Sequence, residues 1–218
     1  MRPFGAASLE AIMKIDNVRW KRQRGLSVVE AAAVLVMIAM LAAAILPGLG
    51  EARGAAALRM VAGQLCGLMF RCRAHAIMKG RASAVVFERR PDDSWRCYLV
   101  EDGDGDGIRR DDITALRDPV VGEVFHFEAG DAGLGILSGE FVPDPSGRGR
   151  LRGDLDDPVR AGRGDIITFT PRGTATPSSV YLTDHRSRMR VLRIYGSTGR
   201  VICRVWRSGW ADWRESGM

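Results

Sequence analysis

The chain is poor in the groups that carry out chemistry. Its 3 histidines, His75, His126 and His185, fall in unrelated segments, so no H-x-x-x-H pair can present two ligands on one helix face. The 4 cysteines show no C-x-x-C spacing. No nucleophile elbow occurs, and no glycine-rich loop joins a strand to a helix in the way a bound phosphate requires. These absences argue against hydrolase, zinc and nucleotide chemistry. A non-enzymatic chain without a cofactor is expected, calcium being the one open question.

What the sequence does have is a long apolar run. From Leu26 to Leu46 there are 21 residues with a single charge, Glu30. A helix needs about 20 apolar residues to cross a bilayer core, so a transmembrane helix is predicted over 26–46. Lys21, Arg22 and Arg24 precede it directly and would stay on the cytoplasmic side. The expected topology is therefore single-pass, with the amino terminus cytoplasmic and the rest of the chain outside. Residues 1–25 are basic and lack hydrophobic periodicity, which is the pattern of a leader peptide, with Met1 or Met13 as its start. That leader carries six basic against two acidic residues, so it supplies +4 of the formal +6 charge.

Two readings of Glu30 stand side by side. A carboxylate inside an apolar segment costs roughly 2.5–3.5 kcal/mol on insertion scales, which marks it as functional. Ser27-x-x-Glu30 is also the pattern of a capping box at a helix start. The run as a whole has two rival readings: a secretory signal cleaved near Ala42-Ala43-Ala44, or a plain anchor.

Beyond the run, Leu58, Val61, Leu65, Leu68, Met69, Cys72 and Ile77 recur at helical spacings, so 47–80 reads as the amphipathic half of the same helix. Pro47 and Gly48 should kink it and Gly80 should end it. From Arg81 the pattern becomes short β-branched and aromatic runs between Gly, Pro and Asp clusters. Strands are predicted at 82–88, 95–100, 120–127, 166–170, 180–182, 190–195 and 201–206, and 144–164 reads as an irregular loop. The fold class is α+β: a long N-terminal helix packed on an antiparallel β-sheet head covering 81–218.

Gly25, the acid at the fifth position after it, the unbroken apolar helix and Pro47 together resemble the type III signal of type IV pilins and pseudopilins. Trp95 with Val100-Glu101-Asp102-Gly103-Asp104-Gly105-Asp106-Gly107, then Ile166-Thr168-Phe169-Pro171-Arg172-Gly173, then Val191-Ile194-Ser197-Gly199-Arg200-Val201, resemble landmarks of the GspH/FimT group. The resemblance implies cleavage between Gly25 and Leu26 by a prepilin peptidase, N-methylation of Leu26, and pairing of Glu30 with the amino terminus of a neighbouring subunit. It implies a minor pseudopilin of the bacterial inner membrane, its head periplasmic, whose helix 26–46 forms the filament core as it assembles with other pseudopilins in a type II secretion pseudopilus. The alternative it leaves open is a FimT-type minor pilin serving pilus assembly or DNA uptake.

Three residue groups remain as candidate sites. Asp102, Asp104 and Asp106 before Gly107 could wrap calcium, although the twelfth loop position is Ile113 where a bidentate Glu is needed, so Asp111 or Asp112 would have to substitute. Otherwise they form a solvated turn. Cys66 and Cys72 lie about 240° apart around one helix and cannot bridge each other; Cys97 with Cys203 is the candidate strand pair, and free buried thiols are the alternative. Between Arg186 and Arg214 stand eight arginines against Asp212, interleaved with Tyr195, Trp206, Trp210 and Trp213. Arg200, Arg204 and Arg207 are the candidate DNA contacts there. The plain alternative is that Arg188, Arg190 and Arg204 line the outward faces of strands whose other face, Met189, Val191, Val201 and Val205, fills the core.

Overall fold

The computed structural model describes residues 27–127, 130–147, 149–162 and 164–216, with the side chains at 44–47 and 49 outside that description. The leader, Gly25 and Leu26 lie outside the described residues. The chain divides into two compact units, Met1–Pro47 and Gly48–Met218.

Helix α1, Val28–Lys79, contributes to both units. In the first unit the large apolar side chains from Val28 to Leu41 are exposed. In the second, Leu58, Ala62, Leu65, Met69, Cys72 and Ala76 are buried at alternating spacings of four and three, one stripe of a 3.6-residue helix. Ala62 and Ala76 take places in that stripe, whereas Val61 is only half-buried and Ile77 is 50% exposed. Gly80 follows at φ +66°, a left-handed conformation that ends the helix at little steric cost.

The rest is mostly β. Strands β1 (Ser83–Arg89), β2 (Trp95–Glu101), β3 (Val120–Phe127) and β6 (Ile166–Phe169) form a four-stranded antiparallel sheet in the order β3-β2-β1-β6. A second, six-stranded sheet runs β10 (Arg214–Glu215), β9 (Arg200–Arg207), β8 (Arg188–Tyr195), β7 (Ser178–Thr183) and β4 (Gly133–Leu134), with β5 (Val159–Arg160) also on β7. A single helical turn, α2 (Arg110–Thr114), sits between β2 and β3.

Both sheets bury two faces. The α1 stripe packs with Val85, Phe87, Cys97, Leu99, Ile167, Val180, Leu192 and Val201 in one core. Tyr181, Met189, Val191 and Trp206 turn the opposite way, into a second cluster with Val142 and Leu151 against which Trp210 and Trp213 pack. Val86, Tyr98 and Val100 meet Ile108, Ile113 and Ile166 in a third. A strand covered on both sides must be apolar at successive positions, which is why β1 reads Ala-Val-Val-Phe.

Two expectations are corrected. One long helix on a single antiparallel sheet is replaced by a mostly β molecule with two antiparallel sheets. The transmembrane segment is also not met: among the described residues, no helix is long and apolar enough to cross a membrane. The single-pass inner-membrane location loses its support with the span.

Candidate functional site

The first turn of α1 holds the acid that the sequence singles out. The backbone N–H of Ser27 donates to Glu30 Oε2 at 3.2 Å, and the N–H of Val29 donates to Ser27 Oγ at 3.2 Å. This is a capping box: two amides that the helix leaves orphaned are satisfied by one hydroxyl and one carboxylate. Glu30 is solvent-exposed, and its surroundings are apolar side chains that are exposed too: Val28 at 85%, Leu35 at 66%, Met40 at 68%.

In the acidic loop after β2, ligand oxygens of Asp102, Asp104 and Asp106 come within 4.8 Å of one another. Their present bonds close the loop on itself. Asp102 Oδ1 accepts from the N–H of Gly105 at 2.7 Å, and its Oδ2 accepts from Gly107 at 3.2 Å. Asp106 takes Arg109 at 2.9 Å. The N–H of Asp106 donates to Asp104 Oδ1 at 3.3 Å, and hydrogen bonding between the two residues lowers the Asp104 carboxyl and raises that of Asp106. The far side of the loop offers poor ligands: Ile113 packs into an apolar cluster and Asp112 is buried against Arg117 at 2.5 Å. Three carboxylates therefore suit a hard cation, while the position expected to give two oxygens gives none.

The arginines of β8 and β9 do not form one strip. Side chains alternate along a strand, and the register pairs Arg190 with Val205 and Arg204 with Val191, so Arg190 and Arg204 point to opposite faces. Arg204, with Arg193, donates to the carbonyl of Pro145, at 2.6 and 3.2 Å. Arg207, three residues on, faces α1 and meets Glu51 at 3.4 Å, where Arg188 joins at 3.6 Å. Of the three candidate DNA contacts, Arg200 alone remains exposed at the strand end without such a tie among the described residues. The expectation that Arg188, Arg190 and Arg204 share an outward face is corrected accordingly.

All four cysteines are buried free thiols. Cys97 lies on β2 and Cys203 on β9, in different sheets. Burial pushes the thiols of Cys66 and Cys97 up to about 12, and those of Cys72 and Cys203 up as well. Such thiols are protonated and poor nucleophiles at neutral pH.

Two polar centres, Glu88 half-buried and Asp184 buried, carry no motif that would single them out in the sequence. Glu88 takes the Tyr98 hydroxyl, the Arg96 guanidinium and, at 3.3 Å, Arg110. Arg110 also donates to the carbonyls of Phe87 at 2.6 Å and Gly164 at 2.8 Å, tying α2 to β1. Asp184 Oδ1 accepts the N–H groups of Arg186, Ser187 and Arg188 at 3.0, 2.9 and 2.8 Å and so builds the β7–β8 turn. The only signal for Asp184 is an Asp beginning a short polar stretch between two strand patterns.

Comparison with known proteins finds no matching family model, no matching curated protein and no matching solved structure. The pilin-like resemblance therefore rests on the sequence motifs alone.

Proposed function

We propose that this chain is a structural assembly subunit, a minor pseudopilin that packs with like subunits into a filament serving protein secretion. The observation that carries the reading is the apolar surface at the start of α1, where Val28, Val29, Leu35, Met37, Met40 and Leu41 are all more than half exposed. A water-exposed patch of that kind needs a cover, since monomeric proteins rarely leave large contiguous apolar areas bare. The matching helices of neighbouring subunits supply one, apolar ridge into apolar groove. Glu30, at the first turn, then stands where a neighbour's free amino terminus can pair with it and fix the axial register. The role is structural rather than catalytic. A FimT-type minor pilin would use the same helix packing in a different filament, with exposed Arg200 as its contact for DNA phosphates.

The test is the amino terminus itself. The full chain, co-expressed with a prepilin peptidase, should be recovered starting at N-methylated Leu26. Recovery starting near Ile45, or with Met1 or Met13 intact, would overturn the reading.

A further inference from the structure

We propose that Cys66 and Cys203 are a disulfide pair that staples α1 to the six-stranded sheet when the chain folds under oxidising conditions. The two thiols belong to one apolar core and line one cavity of about 400 Å³, together with Arg59, Gly63, Phe70 and Arg190. Each is nearly closed to solvent, Cys66 at 4% and Cys203 at 3% exposure. The helix surface beside Cys66 is open: a Cβ added to Gly63 or Gly67 would meet nothing within 4 Å. Arg190 Nη1 lies 3.6 Å from Cys203 Sγ, and its charge favours the thiolate, the form that attacks a disulfide.

The chemistry balances with a small-molecule disulfide as oxidant. The Cys203 thiolate attacks one sulfur of the reagent, forming a mixed disulfide and expelling the first reagent thiolate. Cys66, deprotonated in turn, attacks the Cys203 sulfur, closes the protein bond and expels the second. The two cysteines lose two protons and two electrons, and the reagent is reduced to two thiols. Burial holds both protein thiols protonated once α1 has docked, so the bond closes during folding, while the cysteines are still exposed. The resulting covalent loop contains strands β1 to β8, which restricts the unfolded chain severely.

The test uses the full chain, kept in detergent to cover its apolar run and refolded with oxidised and reduced glutathione. Expected results are a mass lower by about 2 Da and one linked peptide joining Cys66 to Cys203 in a non-reducing digest. Both features should vanish in C66S and in C203S and persist in the C72S/C97S double variant. The same reagent added after folding should act far more slowly. Four free thiols after oxidative refolding, or a linkage through Cys72 or Cys97, would overturn the proposal. So would a C72S/C97S protein that folds with both remaining cysteines reduced. None of these outcomes depends on whether the chain enters a filament.

Discussion

Gly103 occupies a position where no side chain fits. A Cβ there would lie 2.0 Å from the carbonyl oxygen of Arg117, and that carbonyl belongs to backbone held by Asp112 and Asp118. Gly103→Ala is therefore expected to lower unfolding free energy in urea by about 2 kcal/mol or more, as strain at a position with no room to relax. A variant as stable as the parent would show that the loop after β2 shifts freely. The residue scale is also where sequence reasoning reached least far. Glycines in 102–107 announce a turn, but nothing local says that Gly103, rather than Gly105 or Gly107, is the one pressed against another segment. Cys203 is the same kind of case: its neighbour depends on how α1 docks, which no spacing between cysteines encodes.

Among the elements, the seven longer strands were legible, each within two residues of its predicted bounds, because Gly, Pro and Asp clusters punctuate β-branched runs. Strands β4, β5 and β10 have two residues each and α2 only five, too short for either period to register. The two-sheet arrangement was not legible, since alternation shows that a strand has two faces without showing what covers each. Arg204 and Arg207 could have been separated in advance: three residues apart on a strand, they must face opposite ways. Where α2 meets β1, stability should depend on pH through Glu88. Burial alone would raise its carboxyl, but the Tyr98 hydroxyl, Arg96 and Arg110 outweigh it and hold it below the usual range. With the folded value depressed, the contribution is complete above about pH 4.3, the unfolded value, and is lost as pH falls through the folded one. The Tyr98 hydroxyl, pushed up to about 12 mainly by burial, then by Glu88, works in the other direction. Its contribution is present below about pH 10 and fades as pH climbs toward the folded value. Glu88→Gln should cost about 1–3 kcal/mol at pH 7 and flatten the acid limb of a stability–pH curve. An unchanged acid limb would remove Glu88 as its source.

For the molecule as a whole, the first question is what covers the start of α1. Leu35 is 66% exposed, and burying such a side chain between subunits is worth about 1.5–3 kcal/mol. Leu35→Glu should accordingly weaken self-association by at least about tenfold in sedimentation velocity. Association unchanged by that charge would place the contact elsewhere. The second question is how the six-stranded sheet responds to its surroundings. One face ends in Glu51 shared by Arg188 and Arg207, an attraction that salt weakens. The other ends in Arg193 and Arg204, two cations drawn together on the single oxygen of Pro145, a repulsion that salt relieves. One sheet thus has two margins with opposite ionic tempers. Amide exchange followed from low to about 0.5 M salt should quicken around Arg188 and Arg207 and slow around Pro145, so that salinity redistributes rigidity across the sheet instead of raising or lowering it everywhere.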